Sequence, residues 1–561
     1  MKKPLPHVIL DQIIQEKVEY IFGVTGKAIS PLLDAILDYQ NLDFISSKHE
    51  SGAALMAFGY AQGTGKVGVC CSTTAGGSTN LVTGVATAYM NSVPMLVITG
   101  QSSTHEFSKG AFQESSGLGQ SINTVDLYKS ITKESFALAN PHLVAETIRY
   151  AIKSALSGRR GPVHINIPFD FFHKEIEIES FQNNISLFND NFQSINTGMD
   201  EAIRMIEKAD SPVFLTGWGT VLSGAEQEVI KIAEKLDIPI ATTLQGKGVI
   251  SYDHPLHLGI LGVAGHTSAQ KYIFEKSDLI IVIGANFDEF TTFNWNPVFL
   301  DKKIIQIDVD FREIGKNYPV ESGFVGDAAI ILSSMRQKIE QAGVKSGSAR
   351  QEIIDFVKEA GKFANPELMI ADSIPIKPQR LMKEIGDNTP DNTIFLADSG
   401  AHWAWAMHYL PIREGGGFYP TIGLAAMGAS VCSSIGVQVS KPKNPVVCIC
   451  GDGSFLMNGN EVATAEQYDI PVVWVVLNDS LYNLPAKSML KQFNREIGVK
   501  LSETNFANLA EAYNVKGYRV ENPEELAGKI NEAVNAKKPA VIDVVIDPDE
   551  FPPVGQRKLN D

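Results

Sequence analysis

Residues 446–483 read VVCICGDGSFLMNGNEVATAEQYDIPVVWVVLNDSLYN, and this stretch decides the fold. The apolar run Val446–Cys450 passes directly into Gly451-Asp452-Gly453-Ser454, and a helix-compatible segment follows. Pro471 then opens a second apolar run that ends at Asn478-Asp479. Strand, helix and strand in that order form a parallel βαβ unit, and near-continuous β-branched runs are what strands buried on both faces require. Asp452 and Asp479 then sit at the carboxyl ends of successive strands, where both side chains can reach one ion. Gly451 and Gly453 let backbone N–H groups approach a phosphate, and Ser454 opens a helix whose N-terminus favours an anion. A hard cation such as Mg²⁺ takes few protein ligands, mostly oxygens, and suits such a site.

Outward from this stretch the same alternation runs along the whole chain. Val67–Cys71, Met95–Ile98, Val163–Ile167, Val213–Thr216, Leu279–Ile283, Ile304–Ile307, Thr393–Ala397, Val446–Cys450 and Val472–Leu477 read as buried strands separated by amphipathic stretches. Two segments interrupt the pattern. Phe181–Thr197 is rich in Asn and Ser and reads as a linker, and a second break starts near Ala342 with AGVKSGSARQ. The predicted architecture is therefore α/β with three domains, each a mostly parallel sheet flanked by helices, over residues 1–180, 196–341 and 365–550. The first and third share a plan of strand, glycine turn and helix.

The 561 residues exceed what one hydrophobic core holds. A net charge of −16 argues against a nucleic-acid partner, because phosphate backbones need a basic face. No apolar run reaches the roughly 18–20 residues of a membrane span. The stretch MKKPLPHVILDQIIQEK is interrupted by Asp11 and Gln12 and is no secretion signal. Cys70, Cys71, Cys432, Cys448 and Cys450 fit neither a zinc site nor a disulfide framework; they read as small buried side chains in a reducing cytoplasm.

The GDG…ND segment resembles the cofactor-binding segment of thiamine diphosphate (ThDP)-dependent enzymes of the acetolactate synthase and pyruvate oxidase family, and is most similar to acetolactate synthase large subunits. The resemblance implies a pyrimidine-binding domain and a diphosphate-binding domain around a Rossmann-like central domain. It implies that Asp452, Asp479 and the carbonyl of Leu481 hold Mg²⁺, with Gly451, Gly453 and Ser454 against the diphosphate. Asp479 departs from the family's Asn and adds a negative charge.

Further motifs extend the resemblance over about residues 1 to 545. His49-Glu50-Ser51-Gly52-Ala53 onward resembles the family's H-E-x-x-A stretch, which implies that Glu50 exchanges a proton with the aminopyrimidine ring. Thr73 to Asn80 takes the place of T-S-G-P-G-x-T-N, with Ala75 for the first Gly and Gly76 for Pro, so Thr73, Gly76 and Asn80 are implied cofactor contacts. Val93–Gln101 resembles the I-T-G-Q strand, and Ala111-Phe112-Gln113-Glu114 the A-F-Q-E turn. There Phe112 and Gln113 are implied to flank the reacting carbon, with Gln101 near the substrate. Asp398-Ser399-Gly400-Ala401-His402 resembles the D-x-G-x-H loop that reaches the diphosphate. Gly423–Gly428 resembles G-L-G-x-M-G, with Ala425 for its second Gly and Met427 implied to wedge between the cofactor's rings.

In the central unit the family's G-A-R-F-D-D-R has become Gly284-Ala285-Asn286-Phe287-Asp288-Glu289-Phe290. Two cationic contacts to a dianionic flavin are gone, each worth about 1.5–3 kcal/mol, and FAD is expected not to be tightly held. No His-His pair of the kind used by pyruvate-type decarboxylases is present. The resemblance thus implies a carboligase acting on a 2-oxo acid, with pyruvate the first candidate. A non-oxidative decarboxylase or C–C lyase, a flavin-dependent oxidase and a catalytically silent regulatory relative are the alternatives. Leu481–Met489 lacks the family's tryptophan, and Tyr482 and Lys487 are candidate substrate contacts; His105 and Lys109 stand beside the A-F-Q-E turn. A homodimer or homotetramer with sites at the dimer interface is also implied.

Overall fold

The computed structural model describes residues 2–177, 198–344, 347–413 and 415–553. The expected linker Phe181–Thr197 lies outside the described residues. The first sheet contains β1 (Tyr20–Gly23), β2 (Asp43–Ser46), β3 (Gly68–Ser72), β4 (Met95–Gln101), β5 (Glu134–Ala137) and β6 (Pro162–Pro168). Its spatial order is β2-β1-β3-β4-β6-β5, with every neighbouring pair parallel. Helix α1 (Glu50–Thr64) follows β2 and stops at Gly65, whose φ of 71° is the left-handed conformation that closes a helix.

The central sheet contains β7 (Pro212–Thr216), β8 (Ile240–Thr242), β9 (His257–Ile260), β10 (Leu279–Ile283), β11 (Lys303–Asp308) and β12 (Ser322–Val325), followed by helix α2 (Ala328–Gln341). Its order is β9-β8-β7-β10-β11-β12, again all parallel. This is the doubly wound order of the Rossmann type, which reverses direction between its first and fourth strands.

The third sheet contains β13 (Ile394–Ala397), β14 (Gly417–Phe418), β15 (Val446–Gly451), β16 (Val472–Asn478), β17 (Lys516–Val520) and β18 (Ala540–Val545). Its order, β14-β13-β15-β16-β18-β17, repeats that of the first sheet, so the shared plan read in the sequence extends to the topology. The helices that matter here are α3 (Ala401–Tyr409), α4 (Ala429–Ser440), α5 (Asp452–Asn458) and α6 (Asn483–Phe493). Strands β4, β15 and β16 are buried at every residue, as their β-branched runs require. The short edge strands β2, β5, β12, β14 and β17 are partly exposed, and their patterns are correspondingly weak in the sequence.

Helix α1 lies against α4 at backbone distance. A Cβ on Gly59 would fall 2.0 Å from the Ser433 carbonyl oxygen, and one on Gly436 would fall 1.9 Å from that of Met56. Only glycine allows this approach, which merges the first and third domains into one core that includes Ile21, Met95, Val431 and Trp474. The central domain keeps a core of its own. Among the described residues, no helix is long and apolar enough to cross a membrane.

Candidate active site

The turn after β15 places Asp452 in the first turn of α5, 4% exposed. Its Oδ1 accepts the Gly453 N–H at 2.6 Å and its Oδ2 accepts that of Leu481 at 3.3 Å. Asp479 follows β16 directly, and its Oδ2 accepts from Asn483 Nδ2 at 2.7 Å. Burial pushes Asp452 up to about 6, against the pull of neighbouring backbone N–H groups. Burial and then repulsion from Asp452 push Asp479 up to about 7. A buried carboxylate that raises its half-buried neighbour favours a cation between the two. Among the described residues, no three His, Cys, Asp or Glu side chains converge as a metal cluster. Two carboxylates completed by a carbonyl, phosphate oxygens and water fit Mg²⁺, which keeps several non-protein ligands.

The same cleft, with a cavity volume of about 70 Å³, gathers Ser399, Gly400, His402, Met427, Gly451, Gly453, Ser454, Leu481 and Tyr482 around these carboxylates. His402 is 6% exposed, with its ring packed against the backbones of Gly400 and Gly451. Burial pushes it down to about 3, and among the described residues its Nε2 has no hydrogen-bond partner. An orphaned buried ring nitrogen facing a phosphate-sized cleft fits an oxyanion ligand. The Ser454 hydroxyl donates to the Ser399 carbonyl at 3.2 Å and ties the two loops together. A Cβ on Gly453 would lie 2.3 Å from Tyr482 Cε1 and 3.3 Å from Met427 Cε, so both side chains rest on that glycine.

The predicted first-domain residues stand at the carboxyl edge of the first sheet. Glu50 is the first residue of α1, and its Oε2 accepts from Asn80 Nδ2 at 2.9 Å. Gly77 permits this approach: its Cβ would lie 3.1 Å from Glu50 Oε1 and 3.0 Å from Thr73 Cγ2. The hydroxyl of Thr74 reaches Gln113 Oε1 at 3.4 Å, joining the A-F-Q-E turn to the same loop. Gly76 is exposed, and Phe112 is 89% exposed. Ala75 and Ala425, which stand where glycines are expected, both keep positive φ, 43° and 57°. The loops therefore hold the shape glycine suits, at a cost of about 1 kcal/mol per alanine.

No residue of the first sheet lines the Asp452 cleft. Within one chain the structure brings the third-domain residues together and the first-domain residues together, on separate edges. Two candidates are engaged elsewhere. The Gln101 side chain is buried, accepts the Ser102 and Ser115 N–H groups and donates to Asn166, so it shapes a turn. Lys487 donates to the Glu550 carbonyl and lies over the Phe551 ring at 4.3 Å, at the rim of the cleft that Glu550 lines.

One contributor was invisible in the sequence. Glu461, fully buried, accepts the N–H groups of Lys48 and His49 at 3.0 and 2.9 Å and the Thr464 hydroxyl at 2.7 Å. A third-domain carboxylate thus holds the entrance of the helix that carries Glu50. Its only local signal is an acidic residue beside an apolar helix.

A cavity of about 950 Å³ opens at the carboxyl ends of β7 and β10, where the central strand order reverses. Its walls carry Asp288, Glu289, Asp308, Glu313 and Asp327 against Arg159 and Arg160. Arg159 pairs with Glu313 at 3.1 Å, and burial pushes Asp308 up to about 6. Asp327 occupies the N-terminal N–H groups of α2, accepting from Ala329 and Ile330 at 2.9 and 3.2 Å. An acidic wall and a self-capped helix do not fit the diphosphate of FAD.

Residues 5–120, 199–335 and 398–544 match the N-terminal TPP binding, central and C-terminal TPP binding domains of the thiamine pyrophosphate enzymes. A probable acetolactate synthase large subunit of Methanococcus aeolicus is 38% identical over 95% of this chain and 90% of its own length. One from Methanocaldococcus jannaschii is 37% identical, covering 97% and 92%. The acetolactate synthase large subunit of Haemophilus influenzae is 32% identical, covering 97% and 94%.

Proposed function

The chain belongs to the thiamine pyrophosphate enzymes, and from that premise we propose that it is a ThDP- and Mg²⁺-dependent carboligase. It removes CO₂ from a 2-oxo acid, pyruvate first among them, and joins the remaining unit to a second carbonyl. The observation that carries this reading is the meeting of Asp452, Asp479 and the unpartnered Nε2 of His402 in one buried cleft.

When bound, ThDP supplies a carbon nucleophile that attacks the 2-oxo carbonyl and stores the electron pair left by CO₂. Asp452, Asp479 and the Leu481 carbonyl would hold the metal, and Gly451, Gly453 and Ser454 would leave room for the diphosphate. His402 would donate to a phosphate oxygen through Nε2–H, which a neutral buried ring can carry. Met427, resting on Gly453, would pack against the bound cofactor. Glu50, oriented by Asn80, would give and take a proton at its carboxylate toward the aminopyrimidine ring. Phe112 and Gln113, on the exposed turn tied to the Thr74 loop, would border the reacting carbon, exclude water and orient the acceptor.

Because Glu50 lies outside the Asp452 cleft of its own chain, the complete site joins two copies, in a homodimer or homotetramer. We assign the units to residues 1–180, 196–341 and 365–550, with FAD not bound in the central one. The five buried, unpaired cysteines suit a reducing cytoplasm.

The test is a mass-spectrometric product profile with pyruvate and a panel of carbonyl acceptors, with ThDP and Mg²⁺ supplied. A C–C coupled product with matching CO₂ release is expected. Free aldehyde as the sole product overturns the carboligase reading in favour of a decarboxylase. A flavin absorption band in the purified protein overturns the reading of the central domain.

A further inference from the structure

Lys27 stands on the loop that leaves β1, at the same carboxyl edge as Glu50 and Thr73. It is exposed, and among the described residues its ammonium meets no carboxylate and no hydrogen-bond acceptor. Its neighbour is the ring of Phe169, 5.8 Å from the ammonium. Phe169 follows β6, and β3 and β4 lie between β1 and β6 in the sheet. The two side chains thus reach toward one another across the ends of the strands that lead to Thr73 and to the Gln113 turn.

The backbone around Lys27 is fixed on both sides. A Cβ on Gly26 would fall 2.4 Å from Thr73 Cβ, and one on Gly100 would fall 2.6 Å from Ala28 Cβ. From Thr73 the contacts run through Gly77 to Glu50 Oε1, so the loop that carries Lys27 and the loop against Glu50 share Thr73 as a support. The Phe169 loop is fixed as well: Asp170 accepts the Thr104 N–H at 2.8 Å and its hydroxyl at 2.7 Å, which occupies the nearby carboxylate. A rigidly based, unpaired cation on the reaction edge of a chain with net charge −16 is a site for an anion.

We propose that Lys27 is a specificity-determining residue that reads an anionic group on the substrate beyond the 2-oxo acid carboxylate. This rests on the ThDP reading above. The donor or acceptor is then a doubly anionic keto acid, with its reacting carbonyl toward Glu50 and its distal anion toward Lys27. A charge-assisted contact of this kind favours the dianion about tenfold or more over a neutral-ended counterpart.

The test compares 2-oxoglutarate with 2-oxopentanoate and oxaloacetate with 2-oxobutanoate, each as donor and as acceptor beside pyruvate. The full-length protein is loaded with ThDP and Mg²⁺. In at least one pair the dianion is expected to lead in kcat/KM by about tenfold. That ratio should collapse in Lys27→Gln, invert in Lys27→Glu and return in Lys27→Arg. A ratio unchanged by Lys27→Gln, or a monoanion preferred throughout by the wild type, overturns the proposal. The same pairs are titrated by calorimetry onto Glu50→Gln holoenzyme with and without Lys27→Gln. A Lys27-dependent difference in Kd without turnover of any keto acid upholds Lys27 and sinks the carboligase reading. No such difference overturns Lys27 whatever the turnover.

Discussion

The carboxylate of Glu461 accepts the backbone N–H of His49 at 2.9 Å, one residue before Glu50. The third domain therefore sets where the helix bearing the proposed proton-transfer residue begins, within the same chain. The same side chain also fills the space beside Gly52, whose Cβ would lie 2.4 Å from Glu461 Oε1.

Glu461→Ala should leave the Lys48 and His49 N–H groups unpaired, at a cost of about 2–4 kcal/mol. Turnover should fall while ThDP affinity at the Asp452 cleft changes little. Glu461→Gln keeps one acceptor and should recover most of both stability and rate. Thermal unfolding and kcat measured on the two variants decide it; equal kcat in Glu461→Ala and wild type removes the positioning role.

The metal-free cleft should lose stability toward alkaline pH. Asp452 and Asp479 titrate near 6 and 7 in the folded chain and near 4 when unfolded. A raised folded value gives a stabilising contribution that is present below about pH 4 and lost as pH rises through 6 and 7. Mg²⁺ with ThDP should offset this, so the rise in Tm on loading should be larger at pH 8 than at pH 5.5. Asp479→Asn, which restores the family's residue, should raise the Tm of the cofactor-free protein at pH 8 and still bind Mg²⁺, whereas Asp452→Asn should weaken metal binding by at least tenfold. A loading effect independent of pH contradicts the cation assignment.

A site joined from two copies can be rebuilt from two inactive variants. Glu50→Gln and Asp452→Asn should each abolish turnover alone. Co-expressed, they should recover roughly a quarter of wild-type activity, since half of the dimers are mixed and each mixed dimer holds one intact site. Recovery near zero, with mixed dimers verified by mass spectrometry, places both residues in one chain's site.

His164 gives an acid limit remote from the cleft. Its ring is fully buried, with hydroxyl partners Thr99 at 2.7 Å and Ser135 at 2.8 Å, and stacks on Tyr128 at 4.1 Å. Burial pushes it down to about 3. Because the unfolded ring takes its proton near 6.5, stability present above that pH falls progressively as pH drops toward 3. The loss is at most on the order of 5 kcal/mol. His164→Gln, measured by denaturant unfolding between pH 7 and 4.5, should show a shallower decline than wild type, though a lower starting stability.

The β-branched runs of β4, β15 and β16, the turn of Gly451 to Ser454 and the family motif around Glu50 were legible because each is local. Strand burial, glycine freedom and helix starts are encoded within a few residues of where they act. On that basis the three-domain α/β plan and the cleft-forming segments could be read. The edge strands β2 and β14 could not, because a short strand with one exposed face carries little hydrophobic pattern.

Tertiary structure alone decided which charges meet. Glu461 reaches His49 only because the glycines of α1 and α4 let two domains touch at backbone distance, and no local pattern records that approach. Lys487 is drawn to the Glu550 carbonyl at the rim of the cleft, while Lys27 is left without a charge partner among the described residues, at the edge beside Thr73. By itself the sequence determined the chemistry available at the turns of Asp452 and Asp479 and at the head of the Glu50 helix. The packing of α1 on α4 and the crossing of loops over the first sheet decided which of those groups are satisfied and which remain open to a substrate. Hydrogen bonding and charge pairing depend on distance in space, which sequence separation does not specify.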